Sequence, residues 1–415
     1  MLTLVPTPPK SLGDYAAVVG ADVIDRLRQR AAPFKGARIL NINSTAFGGG
    51  VAELLNTQVP LMRDLGIDAE WRLIQAPDEF FMVTKAMHNA LQGGPVSWTS
   101  EMQGLYRAVS EDNAEAFDDS SYDFVIVHDS QPAAILTELI EDRGSKPGKW
   151  VWRCHIDLTE PFEPVWHFVK PLVENYDASI FTLPEYVRPG LYVPHIAIIP
   201  PSIDPLAIKN IPMDGAMVDE VMRRYMIDTT RPLVVQVSRF DPWKDPLGVI
   251  DAYRIAREQV PGLQLALIAS MAHDDPEGWD YYTKTEEHRQ GDPDIFLLSN
   301  LQDVGALGVN AFQRAAGVVV QKSIREGFGL VVSEAMWKGK PVIGSDVGGI
   351  RLQIIDGETG FLVDDVDGCA KRIVDLLSDH EEAMEMGRVA RAFVKERFLS
   401  TREIDDHLAL FEVLR

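Results

Sequence analysis

The chain has 415 residues, 46% of them hydrophobic, which is enough for about two domains at roughly 100–200 residues each. Sixty-two acidic residues against 40 basic ones leave a net charge of −22, which argues against non-specific nucleic-acid binding and against an anionic membrane surface as partners. An anionic ligand would therefore need a local basic cluster.

In chain order, Met1-Leu2-Thr3-Leu4-Val5-Pro6 lacks the basic flank and apolar core of a signal peptide. No apolar run approaches the ~20 residues of a membrane helix, so a cytoplasmic protein is expected. Short apolar runs then alternate with helical patterns, the signature of βαβ units and a parallel sheet. Strands are expected at 37–42, 124–129, 150–155, 178–181 and 196–199. Pro200-Pro201-Ser202-Ile203-Asp204-Pro205 is proline-dense and reads as a linker. The pattern restarts with runs at 233–237, 263–268, 295–298, 317–320 and 341–344. The fold class is thus α/β, with two doubly wound domains in tandem, 1–203 and 204–399. Residues 400–415 place Ile404, Leu408, Leu410, Phe411 and Leu414 at helical spacing, a final helix. Two cysteines, Cys154 and Cys369, do not make a disulfide scaffold, and no CxxC or HxxxH spacing suggests structural zinc.

Five stretches could carry chemistry. The turn Phe47-Gly48-Gly49-Gly50-Val51 follows a strand and opens a helix, and its glycines let backbone approach a bulky anion. It is not a GxGxxG, so a dehydrogenase is disfavoured. The strand Trp152-Arg153-Cys154-His155-Ile156-Asp157 places Arg153, His155 and Asp157 on one face by period-2 alternation, a lining for a site or else a structural cluster. Arg239 and Lys244, five apart in the loop after the 233–237 run, can converge on a diphosphate, or else pair with the nearby aspartates. Asp274 and Asp275, in the Met271–Trp279 stretch, are adjacent and precede Pro276, so they make a poor metal site. Finally, Glu326-Gly327-Phe328-Gly329-Leu330-Val331-Val332-Ser333-Glu334 puts one carboxylate in a glycine turn and a second inside the helix that follows. Helix N-terminal amides beside such a turn can hold a phosphate while the carboxylate holds hydroxyls.

Together these residues resemble the retaining glycosyltransferases built from two Rossmann-like domains facing a central cleft, the GT-B architecture, with an E-x7-E motif at Glu326 and Glu334. A narrower likeness is to the trehalose glycosyltransferring synthases. It lies in Asn43–Glu53, Glu79–Lys85, Arg153–Leu158, Met271–Trp279 and Ser323–Gly329. The resemblance implies that residues 204–399 hold an NDP-glucose donor and that residues 1–203 bind the acceptor, with helix 400–415 crossing back to them. Transfer to free glucose would give α,α-trehalose and NDP, reversibly. It further implies that Glu326, Gly327, Phe328 and Gly329 hold the donor sugar, with His155 orienting it. Arg239, Lys244 and the Leu330 and Val331 amides would meet the diphosphate, and Glu334 the ribose. Gly49 and Gly50 would approach the nucleotide, and Leu301, unless it is a buried core leucine, would touch it. Arg153, Asp157 and Glu79 would lie on the acceptor side. No protein-held metal is expected, any Mg2+ arriving with the nucleotide, and a homodimer is implied. Three alternatives stay open: a trehalose phosphorylase, a transferase using glucose 6-phosphate through Arg72, Lys85 and Arg107, and a non-catalytic nucleotide-sugar sensor.

Overall fold

Strands buried on both faces read as continuous apolar runs, and such runs pair in parallel with helices on either side. The computed structural model describes residues 2–117, 122–271 and 276–415. They divide into two units, Met1–Pro201 with Ser400–Arg415, and Ser202–Leu399.

Unit 1 runs β1 (Thr3–Leu4), α1 (Leu12–Val19), α2 (Ala21–Ala31), β2 (Arg38–Asn43), α3 (Gly50–Asp64), β3 (Asp68–Leu73), α4 (Asp78–Leu91) and α5 (Ser100–Glu115). It continues with β4 (Phe124–His128), α6 (Ile135–Arg143), β5 (Lys149–Arg153), α7 (Glu163–Val173), β6 (Ala178–Phe181) and β7 (His195–Ile198). The sheet order is β1-β3-β2-β4-β5-β6-β7. All pairings are parallel except β1 with β3. A search for apolar runs passes over β3, because Asp68, Glu70 and Arg72 alternate with the buried Ala69 and Trp71.

Unit 2 runs α8 (Gly215–Arg224), β8 (Leu233–Val237), α9 (Pro246–Arg257), β9 (Gln264–Ala269), α10 (Pro276–Arg289), β10 (Ile295–Ser299) and α11 (Ala306–Ala315). It continues with β11 (Val318–Gln321), α12 (Leu330–Trp337), β12 (Val342–Ser345), α13 (Gly348–Gln353), β13 (Phe361–Val363), α14 (Val366–Ser378) and α15 (His380–Arg397). Its all-parallel sheet has the order β10-β9-β8-β11-β12-β13.

The last helix, α16 (Ser400–Leu414), packs on α2 and α3 of unit 1. Its apolar stripe is buried, and the Phe411 ring lies 4.4 Å from that of Phe124 and 6.1 Å from that of Phe34. Burying a side chain of that size is worth about 1.5–3 kcal/mol. The proline-dense segment is no loose linker, since Pro201 to Pro205 are buried. In unit 1, Arg402 donates to the carbonyls of Pro200 and Pro201. In unit 2, Ile203 donates to that of Phe398. No helix of the described residues is long and apolar enough to cross a membrane.

Among the parallel strands each order reverses direction once, between β2 and β4 in unit 1 and between β8 and β11 in unit 2. In doubly wound sheets ligands bind in the crevice outside the strand carboxyl ends at that reversal. The loops there are those leaving β2, β4, β8 and β11, which carry most of the residues singled out above.

Candidate functional site

In unit 2 the loop after β8 is shaped by its own side chains. Asp241 accepts from the Trp243 amide at 2.8 Å and starts a single turn of 3-10 helix, Pro242–Lys244. Gln236, on β8, holds the Lys244 carbonyl at 3.0 Å. Asp245 then takes a left-handed conformation (φ 45°) and caps α9. Ile324 donates to the Trp243 carbonyl at 2.7 Å, tying this loop to the one after β11.

Lys244 Nζ reaches Glu326 Oε2 at 2.7 Å. The same oxygen accepts from Ser323 Oγ at 3.1 Å and Gln321 Nε2 at 3.4 Å. Gly329 is required twice over. Its φ of 82° is left-handed, and a Cβ there would lie 3.1 Å from Glu326 Cγ. It precedes α12, whose first amides, Leu330 and Val331, have no intrahelical acceptor and form the positive end of the helix dipole.

The turn is clamped from behind. Gly349 donates to the Glu326 carbonyl at 3.0 Å, and a Cβ on Gly349 would collide with Phe328 Cα at 2.3 Å. The fully buried Gln353 donates from Nε2 to the Phe328 carbonyl and to that of Gly349, while its Oε1 accepts from Ser333. Sequence reasoning missed Gln353, because nothing about a glutamine ending a short helix marks it as a brace.

Glu334 lies one turn into α12 and is 2% exposed. Its Oε1 is 3.6 Å from Lys209 Nζ. Its Oε2 is buried and accepts no hydrogen bond from the described residues. Leu301 follows β10 in a short turn and is 45% exposed, which corrects the core-leucine reading.

The cations expected to meet an anionic ligand each have a carboxylate partner here. Arg239 pairs with Asp241 at 2.8 Å, Lys244 with Glu326, and Lys322 with Asp245. These three cations are matched by three carboxylates, so it is the α12 amides that supply unmatched positive potential.

In unit 1, Gly49 caps α3 and Gly50 opens it. Of the three glycines only Gly48 has a positive φ (79°), and a Cβ on Gly48 or Gly49 would meet nothing within 4 Å. The loop can thus be approached closely. At the ends of β4 and β5 two imidazoles stack, with His128 Nδ1 2.9 Å from His155 Nε2. Asn41 Nδ2 donates to the Glu70 carbonyl, which leaves Asn41 Oδ1 as the acceptor for His128 Nε2–H at 3.2 Å. His128 Nδ1 is then an acceptor, His155 Nε2 carries the hydrogen, and His155 Nδ1 is left as an acceptor. This tautomer follows from the network. Burial, reinforced by the Arg153 charge, holds both imidazoles well below their ordinary pKa. Asp129, in the left-handed region (φ 62°), accepts from the His155 amide at 2.8 Å. Burial raises its pKa to about 6. Asn41, His128 and Asp129 were not singled out by sequence, since their value comes from residues up to 87 positions away.

The one-face alignment of Arg153, His155 and Asp157 is not found. β5 ends at Arg153, so period-2 alternation does not extend to His155 and Asp157. Arg153 is 1% exposed and faces Glu403 at 3.7 Å, with its buried guanidinium nitrogens accepted by no hydrogen-bond partner among the described residues. Asp157 is also buried and closes its own turn by accepting from the Thr159 amide and hydroxyl. Glu79 is exposed in the first turn of α4, where the helix dipole favours an acid. The pair Asp274 and Asp275 lies outside the described residues. Among those described, no three His, Cys, Asp or Glu side chains gather to hold a metal ion.

A family profile for the trehalose synthase N-terminal domain matches residues 41–188, and one for glycosyl transferases group 1 matches 217–393. The trehalose synthase of Pyrococcus horikoshii is 48% identical over 406 residues, 98% of this chain and 97% of that protein. That of Rubrobacter xylanophilus is 48% identical over 416 residues, 100% and 99% of the two. Among solved structures, a UDP-forming α,α-trehalose-phosphate synthase from Burkholderia xenovorans, in complex with glucose-6-phosphate, superposes with a TM-score of 0.72. It shares 14% identity and covers 91% of this chain and 100% of that one, a likeness of fold. Because near-half identity runs the length of a chain whose two sheets carry their distinctive loops at both reversals, the protein belongs to the trehalose synthase family of GT-B glycosyltransferases.

Proposed function

We propose that the chain is a retaining glucosyltransferase that moves glucose from an NDP-glucose donor to free glucose, yielding α,α-trehalose and NDP, reversibly. The observation that carries this reading is Glu334 Oε2, a buried carboxylate oxygen without a donor in the helix that starts at the unit 2 crevice. A buried acceptor left unpaired costs about 1–3 kcal/mol. A ribose diol supplies two hydroxyl donors, whereas inorganic phosphate offers no diol, so the phosphorylase reading leaves this atom unexplained.

In the mechanism, the Lys244–Glu326 ion pair opens by exchange. Lys244 turns to the diphosphate with Arg239 and the Leu330 and Val331 amides, while Glu326 and the Gly327–Gly329 backbone take donor-glucose hydroxyls. Leu301 and the Gly49–Gly50 turn meet the nucleotide. On unit 1, His155 Nδ1 accepts a glucose hydroxyl, fixed in that role by His128. The bond from the anomeric carbon to the NDP oxygen breaks as the acceptor hydroxyl attacks from the same face. The leaving phosphate oxygen takes the hydroxyl proton. We assign no protein-held metal to this step, and place the enzyme in the cytoplasm as a homodimer.

The test is a matrix of NDP-glucose donors against glucose, glucose 6-phosphate and phosphate, with product analysis. Trehalose from NDP-glucose and glucose is expected, and formation only with phosphate or glucose 6-phosphate would overturn the assignment. Absence of any turnover would favour a sensor. In the same assay Glu326→Gln should lose most transfer while NDP still binds.

A further inference from the structure

Unit 2 also holds a cavity of about 400 Å³ whose polar lining includes Asp219, Thr229, Arg314, Lys338 and Lys340. It lies at the carboxyl end of α12, about 12 Å along the helix from the Leu330 amides. Three cations against one carboxylate is an unusual balance for a chain of net charge −22.

Structural duties account for only part of this charge. Arg314 Nε and Nη2 hold the Asn310 side chain and the carbonyls of Asn210 and Ile211. Lys338 Nζ donates to Asn210 Oδ1 at 2.8 Å and to the Glu334 carbonyl at 3.0 Å, leaving one hydrogen. Among the described residues, Arg314 Nη1 makes no hydrogen bond, and the half-buried Lys340 ammonium makes neither a hydrogen bond nor an ion pair. Burial, with repulsion from Arg314, lowers Lys338 to about 7 and Lys340 to about 8. Cations crowded this way would be relieved by an anion between them.

The geometry points to a second oxyanion site, at Arg314, Lys338 and Lys340, that takes the phosphoryl group of a small phosphorylated metabolite. A volume of this size is at the small end of metabolite pockets and larger than one phosphate needs. The donors left over, a guanidinium edge and two ammonium groups, suit phosphoryl oxygens.

The test is calorimetric titration with inorganic phosphate and with glucose 6-phosphate, read as binding and so independent of the transfer reaction. It is done on the Lys244→Ala chain, so that the proposed diphosphate contact does not contribute. Saturable binding is expected. Adding Lys340→Met should weaken it about tenfold, and Lys340→Arg should restore it. Tighter binding of glucose 6-phosphate than of phosphate supports a metabolite, and equal binding supports free phosphate as the source of the same group. Absence of binding, or binding that Lys340→Met leaves unchanged, overturns the site. Turnover without added anion should be unaffected by Lys340→Met.

Discussion

Replacing His407 by asparagine should remove one of the imidazole contributions to the acid sensitivity of unit 1, which the buried His128 and His155 share. His407 sits on α16 and donates Nδ1–H to the Glu403 carbonyl at 2.8 Å. Burial first, and then the Arg153 guanidinium, lower its pKa from 6.5 to about 4. The unfolded chain therefore takes up this proton near pH 6.5 and the folded chain only near 4. Its contribution is complete above pH 6.5 and is lost as pH falls through that window. At pH 5 the ratio of the two proton-binding terms is about 30, a loss of about 2 kcal/mol. Asp129 acts in the opposite sense. Its raised pKa lets the folded state bind a proton first, returning about 1 kcal/mol between pH 7 and pH 5. Asparagine keeps an amide donor for Glu403 and removes the titration. Native-state hydrogen exchange of the α16 and β4 amides, at pH 7 and pH 5 and corrected for intrinsic rates, reads the stability of this unit directly. The parent should lose about 2 kcal/mol more than the variant. Equal losses would refute the assignment of the acid sensitivity to this imidazole.

Gly329→Ala should lower the stability of unit 2 by about 1–2 kcal/mol for the left-handed residue. It should also reduce kcat more than NDP affinity, because the new methyl displaces the Glu326 carboxyl. Calorimetry with a transfer assay checks both, and a normal kcat would show that this carboxyl need not be fixed. Asn41→Leu removes the acceptor that sets the His128 tautomer, so nitrogen NMR of the imidazoles should show His155 losing its Nε2–H form. The variant should transfer slowly with its donor KM unchanged, and a retained tautomer would reject the relay.

Most strands were readable because those buried on both faces announce themselves as apolar runs, whereas β1 and β13, of 2 and 3 residues, are too short to do so. β3 was not, because its polar residues alternate with the buried Ala69 and Trp71. In the candidate site, the glycine turn at Glu326 and the cations after β8 were visible as local motifs. Their mutual pairing was not, since Lys244 and Glu326 stand 82 positions apart and only the β8–β11 neighbourhood joins them. The alignment of Arg153, His155 and Asp157 on one face failed for a related reason. Alternation holds only while a strand continues, and β5 ends at Arg153. Gln353 and Asn41 are invisible in sequence because an amide side chain gains meaning only from the carbonyls and imidazole it happens to meet.

The one-for-one matching of Arg239, Lys244 and Lys322 with Asp241, Glu326 and Asp245 makes this part of unit 2 resemble an ion exchanger loaded with its own counter-ions. An incoming diphosphate would displace carboxylates that stay tethered nearby, rather than release small ions to the bulk. Its affinity should then depend only weakly on ionic strength, unlike that of a bare cationic patch. On the proposed reading, a displaced Glu326 carboxylate would also be left where sugar hydroxyls could take it up, so that loading the donor's two ends would become a single exchange.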